Sequence, residues 1–252
     1  MKNFYLAVLG IITALAIISG CLMHIGAGFW GKGFSFFNFG RGLGKQVSFG
    51  NEVKDIKDVN IDAKVMDIEI KKGDKFYYEY NGREDLQPEI SVNDGELKIK
   101  QKNKTPKGIG GNWQCNLVIE IPEDAKFGFF KADLNMGNLI GEGFTAEKVD
   151  LDLNMGNVVI KELEAKNIEI DADMGNVEIY NADFENIEAE ANMGNVIIES
   201  VNDLDDYAVD ASTSMGDLKV DGKEVSKKYE NKGEGGKIKV EANMGNVEIY
   251  SK

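Results

Sequence analysis

The sequence predicts an all-β protein, a β-solenoid of stacked parallel coils of about 19 residues, following an N-terminal transmembrane helix. Three observations carry this. A motif Asn-Met-Gly-Asn recurs along the second half, apolar and polar residues alternate between its copies, and the 24 residues from Phe4 to Ala27 hold no charged side chain.

The uncharged run comes first. At about 1.5 Å per helical residue it spans about 36 Å, enough for a hydrocarbon core of about 30 Å. Trp30 and the group Phe29, Phe34, Phe36, Phe37 and Phe39 follow at once, where an interfacial aromatic belt would lie. Residues 1–30 are therefore expected to form the anchor, and residues 31–50, rich in Gly and Phe, a tether. Two other readings stay open. Ile18-Ser19-Gly20-Cys21 matches a bacterial lipobox, which would make Cys21 a lipidation site, although Leu22 to Trp30 stays more apolar than a lipoprotein tether. A cleaved signal peptide is the other, but its apolar region is usually only about 7–15 residues. Lys32, Arg41 and Lys45 would by charge counting hold the C-terminal side inside. The large acidic domain that follows favours the exterior instead. The expected location is the bacterial cell membrane, single-pass, with an extracytoplasmic C-terminal domain.

Residues 51–252 are expected to form the solenoid. Between 51 and 126 the coils are irregular: Val59 to Asp62, Val65 to Ile70, Phe76 to Tyr80, Glu89 to Val92 and Leu97 to Lys100 read as strands. Lys72-Gly73-Asp74 and Asn93-Asp94-Gly95 read as turns. A further strand alternates from Trp113 through Cys115 to Ile121, with Cys115 on its apolar face. From 127 to 252 the repeat takes over. Its methionines fall at 136, 155, 174, 193, 215 and 244, three intervals of 19 followed by 22 and 29. Val149, Leu151, Leu153 and Met155 alternate with polar residues, as do Ile168, Ile170, Ala172 and Met174. By this parity the methionines belong to the buried apolar column, a packing role preferred over soft-metal or docking roles. The glycines Gly137, Gly156, Gly175, Gly194, Gly216 and Gly245 bend the chain between two strands of one coil. The longer intervals, around Asn202–Asp206 and from Asp221 to Gly236, read as loops leaving a regular coil. The final strand from Val247 has little beyond it, which leaves an open end conceivable.

The order of Val59-Asn60-Ile61-Asp62, Met66 to Ile70, Asn93 to Ile99, Val118 to Pro122 and the Met-Gly-Asn-Val repeats resembles the bacterial "putative adhesin" domain family of unknown function. That family includes membrane-anchored LiaG-like proteins of envelope-stress operons. The resemblance covers roughly residues 50–252. It implies a right-handed parallel β-helix outside the cytoplasm, tied to the cell envelope, and it supplies no catalytic residues.

Charge and composition narrow the function. The net charge is −14, and residues 127–221 carry five lysines against 22 acids, which speaks against nucleic-acid binding. The single histidine, His24, lies in the apolar N-terminus, so a His-based triad has no material in the domain. Two cysteines exclude a disulfide scaffold and a Cys-based zinc site. No cofactor and no catalytic residue is expected.

Steps of 19 residues align outward positions into rows. Asp133, Asp152, Asp171 and Glu190 form one; Asp150, Glu169 and Glu188 form a second, headed by Lys131 as their only obvious basic neighbour. Asn138, Asn157, Asn176 and Asn195 form a ladder of amides able to hydrogen-bond along the axis. The carboxylate rows read first as a solvated face, and second as a weak collector of divalent cations or cationic envelope polymers. The preferred function is non-catalytic: adhesion, scaffolding or envelope-stress signalling through the membrane, an envelope polymer or another envelope protein. A self-assembling β-helix and, further off, a polysaccharide-active enzyme are the alternatives.

Overall fold

Each repeat coil places two strands around a Gly-Asn corner, or Gly216-Asp217 in one case, and stacks them in register on its neighbours. The structure, a computed structural model, describes residues 45–102 and 115–252. The predicted anchor, Cys21, most of the tether and Trp113 lie outside the described residues.

The strands in chain order are β1 (Gln46–Glu52), β2 (Asp58–Ala63), β3 (Asp67–Gly73), β4 (Tyr77–Arg83), β5 (Pro88–Asn93) and β6 (Glu96–Gln101). Then come β7 (Asn116–Pro122), β8 (Lys126–Met136), β9 (Leu139–Met155), β10 (Val158–Met174), β11 (Val177–Met193) and β12 (Val196–Ser200). The last are β13 (Ala208–Met215), β14 (Leu218–Val220), β15 (Lys223–Val225), β16 (Lys228–Glu230), β17 (Lys237–Met244) and β18 (Val247–Ser251). The ordered sheet thus begins at Gln46, within the segment read as tether.

Ahead of the corner, parallel neighbours run β6, β2, β8, β9, β10, β11, β17, β13. Behind it they run β7, β3, β9, β10, β11, β12, β18, β14. The core is the column these ladders enclose. Val149, Leu151 and Leu153 stack on Ile168, Ile170 and Ala172, then on Ile187, Ala189 and Ala191, all buried. A second corner stacks Gly143, Glu162 and Asn181, each with φ near +55° (57°, 55° and 53°). Glu162 gives no sequence signal for that conformation.

Space and sequence part company at the ends. The chain's last coil, β17–β18, inserts between β11–β12 and β13–β14, so the final strand is interior and not an open end. Residues 202–206 do lie outside the strands, in a connection with a short 3-10 turn (Leu204–Asp206), whereas the segment 221–236 is not simply a loop leaving a regular coil. The segment 221–236 contains β15 and β16, which pair antiparallel with β14 and β13 and cover the outermost coil. Around Asn202–Asp206 the chain turns inward: Leu204 and Tyr207 are buried, and the Tyr207 hydroxyl donates to the Phe184 carbonyl at 2.8 Å. The N-terminal end repeats the device. The β2–β3 coil is inside, β6 and β7 lie beyond it, and β5, β4 and β1 close the end antiparallel. Short antiparallel strands carrying lysines, such as β15 and β16, blunt a sheet edge.

The methionines correct the parity reading. Met136, Met155, Met174, Met193, Met215 and Met244 are 39–62 % exposed, whereas Met66 is 1 % exposed. Asn154 and Met155 both face outward because the strand leaves its pleat at the corner, and the next inward residue after Leu153 is Val158. The corner itself has no room inside. The Gly156 N–H donates to the Met174 carbonyl at 2.9 Å, and a Cβ on Gly156 would lie 1.7 Å from the Gly137 carbonyl oxygen.

Substituting these glycines is therefore expected to be costly for a reason stronger than backbone preference. Gly175 would place its Cβ 1.6 Å from the Gly156 oxygen, with φ at +159°. Gly156→Val and Gly175→Val should each lose about 1 kcal/mol or more, against little change for Glu178→Gln, a half-buried position where Gln keeps an acceptor for the Tyr180 hydroxyl. Thermal melts decide it; equal midpoints for both classes would refute the stacked corner.

Candidate functional site

Two features lie at the corner and ahead of it: the amide ladder just past the glycines, which holds the corner, and the carboxylate rows on the outer side of the pre-corner ladder. The amide ladder works through side chain and backbone together. The Asn138 Oδ1 accepts from the Asn157 backbone N–H at 3.0 Å, Asn157 Oδ1 from Asn176 at 2.9 Å, and Asn176 Oδ1 from Asn195 at 2.9 Å. It continues out of sequence, with Asn195 Oδ1 accepting from Asn246 and Asn246 Oδ1 from Asp217, both at 2.8 Å. At the other end Asp67 Oδ1 accepts from Asn138 at 2.8 Å. A carboxylate suits that starting position, since it only accepts.

The first acidic row is longer than the 19-residue steps disclose. In register it reads Asp62, Asp133, Asp152, Asp171, Glu190 and Glu241, bounded by Lys100 and Ser212. The second row reads Lys131, Asp150, Glu169, Glu188 and Lys239. Lys131 is thus not the sole basic neighbour. Its Nζ lies 3.2 Å from Asp150, Lys148 lies 3.0 Å from Glu169, and Lys239 lies 2.5 Å from Glu188 and 2.8 Å from Glu190. Lys239, Glu241 and Asp62 were missed because the steps stopped where the interval changed. Counting back three and five residues from Met244 would have found Glu241 and Lys239.

The two rows therefore differ in charge balance. Lysines bracket the second row at both ends and its middle. In the first, Asp62 is paired with Lys64 at 2.9 Å and Lys100 at 3.2 Å, while among the described ion pairs none involves Asp133, Asp152 or Asp171. That unbalanced centre opens on a concavity of about 340 Å³ lined by Asp152, Asn154, Asp171, Asp173, Glu190 and Asn192 among others. Partial burial, then the charges of Asp133 and Asp173, push the Asp152 carboxyl above its usual range. Burial, then Glu190 and Asp152, do the same to Asp171. At Asp62 burial acts upward too, but hydrogen bonds from Lys64 and Lys100 outweigh it and its pKa is lowered. Among the described residues no group of three or more His, Cys, Asp or Glu side chains comes together to hold a metal ion. The chemistry this surface offers is attraction for positive charge.

The opposite shifts give opposite pH signatures. A carboxylate with a raised folded pKa destabilises the fold while charged; that penalty is full above the raised value and gone below the unfolded value of about 3.9. Asp171→Asn is expected to melt higher than the wild type near neutral pH, with the difference closing as pH falls through the raised value. Asp62, with a lowered pKa, stabilises the fold above the unfolded value and ceases to do so as pH falls through the folded one. Asp62→Asn is expected to melt lower near neutral pH. Melting curves across pH test both, and shifts of the same sign would contradict the charge assignment.

Comparison with one solved structure bears on this architecture. A solved structure from Clostridium sporogenes, described as a "putative cell adhesion protein", matches 82 % of this chain and 100 % of its own, at 17 % identity and a TM-score of 0.58. That likeness bears on the fold alone. A Bacteroides fragilis structure described as a "putative adhesin" matches 82 % of this chain and 97 % of its own, at 13 % identity and a TM-score of 0.44. No curated protein matches the chain. The family model described as Toastrack DUF4097 matches residues 56–250, and the chain belongs to that family.

Proposed function

We propose that the protein is a non-catalytic module of the bacterial cell envelope: a right-handed β-helix held outside the membrane by its N-terminal segment, its acidic face engaging a cationic envelope polymer or a basic patch on another envelope protein. The handedness follows the strong preference of parallel crossover connections. The observation that carries the binding role is the unbalanced row centre at Asp133, Asp152 and Asp171, of which Asp152 and Asp171 line a concavity. Clustered carboxylates without paired lysines favour a positively charged partner at the encounter stage and afterwards. Divalent cations would serve only as weak, screening counter-ions on so flat a surface.

The alternatives fare less well. Of the five lysines in residues 127–221, Lys131, Lys148 and Lys166 are ion-paired with neighbouring acids, which leaves few basic groups for a polysaccharide-cleaving β-helix to use. Antiparallel strands over both ends oppose end-to-end self-assembly.

Protease added to intact protoplasts is expected to release the domain from about residue 45 onward. Sedimentation of the chain with isolated envelope fragments should be salt-sensitive and should fall in Asp133→Asn/Asp152→Asn/Asp171→Asn. Protection from protease would overturn the exterior location; undiminished sedimentation of the triple variant would overturn the acidic face as the binding surface.

A further inference from the structure

The outward methionines form a row that neither the core nor the acidic face explains. Met136, Met155, Met174, Met193, Met244 and Met215 occupy consecutive coils in that spatial order, each in register with the next. All six are substantially exposed, so core packing does not account for them. A docking face for an apolar partner is also poorly served, because the stripe is one residue wide. The residues just before it are Asn135, Asn154, Asp173, Asn192, Asn243 and Ser214, and beyond the glycines runs the amide ladder. What the row presents is a line of thioether sulfurs on flexible side chains between polar borders.

We infer that this methionine row is a binding site for soft monovalent d¹⁰ cations, Cu(I) or Ag(I). Thioethers are soft, neutral ligands that select such ions over calcium, magnesium or zinc. The spacing suits them. In-register parallel strands lie about 4.8 Å apart, and two metal–sulfur bonds placed in line, taken at about the 2.3 Å of zinc–thiolate, span about 4.6 Å, so neighbouring sulfurs can hold one ion with little rearrangement of the backbone. Rotation about the three side-chain torsions of Met adjusts the remainder. Because thioethers carry no charge, the bound ion keeps its own, and the acidic row three residues earlier on the same coils supplies a compensating field. Six sulfurs taken in neighbouring pairs accommodate about three ions per chain.

The row's order in space makes a specific test available. Replacing Met155, Met174 and Met193 by Leu keeps volume and apolarity at exposed positions while removing sulfur. Met244 and Met215 then remain the one adjacent pair in the described row. The full chain in detergent micelles, labelled with methyl-¹³C methionine, is titrated with Ag(I) in chloride-free buffer. The methyl signals of the row should shift and that of buried Met66 should not, so thiol binding elsewhere is not mistaken for this site. Saturation should occur at about three ions on the row, falling to about one in Met155→Leu/Met174→Leu/Met193→Leu. An unshifted Met66 signal in the variant certifies its fold, and Met174→Leu alone serves if the triple variant is unstable, with a fall to about two. Row signals that ignore Ag(I), or a stoichiometry unchanged by removing the sulfurs, would overturn the assignment.

Discussion

The stacked Gly-Asn corner is the contact on which the rest of the structure depends. There the glycine of one coil lies so close to the carbonyl of its neighbour that a Cβ would come within 1.6–1.9 Å of it, and the following asparagine ties its Oδ1 to the next coil's backbone N–H. Buried backbone groups must be paired, and a corner otherwise interrupts the strand ladder. The asparagine supplies the acceptor that the interrupted ladder lacks. The six corners from Gly137 to Gly245 therefore impose one register on the whole stack, including the coil that arrives out of sequence order.

A fixed register has electrostatic consequences. Parallel in-register stacking places like residues side by side, so any acid at a repeated outward position meets its own kind on both sides. The second row relieves this with Lys131, Lys148 and Lys239. The first relieves it, among the described ion pairs, only at Asp62, through Lys64 and Lys100, and at Glu190, through Lys239. The same constraint that aligns the carboxylates also aligns the sulfurs, since Met is three residues past each acid in every coil of the repeat but the Ser212 one. Two chemically different stripes thus run parallel along one side of one scaffold.

Much of this was legible in the residues. The 19-residue spacing and the alternation of Val149, Leu151 and Leu153 with acids announce stacked half-buried strands, and the recurring Gly-Asn pair announces the corner. The methionine orientation was not legible, because alternation holds only while the strand stays pleated, and Met155 lies where the pleat ends. The spatial order of the coils was not legible either. Intervals of 22 and 29 look like insertions, and nothing local in β17 or β18 reveals that they lie between earlier strands. That order in turn concealed Lys239 and Glu241, whose neighbours Glu188 and Glu190 are about fifty positions away in sequence.

Residue-resolved hydrogen exchange of the C-terminal segment tests the central claim most directly. The Gly194 amide bonds to the Met244 carbonyl, Asn246 to the Asn195 side chain and Val247 to the Asp217 carbonyl. If one corner stack governs all the coils, amides from Asn246 to Ile249 exchange as slowly as those of Val177 to Ile179 in the middle of the chain. Rapid exchange of the last strand, as of a fraying terminus, would show that the chain's end is not held between two coils and would contradict the account.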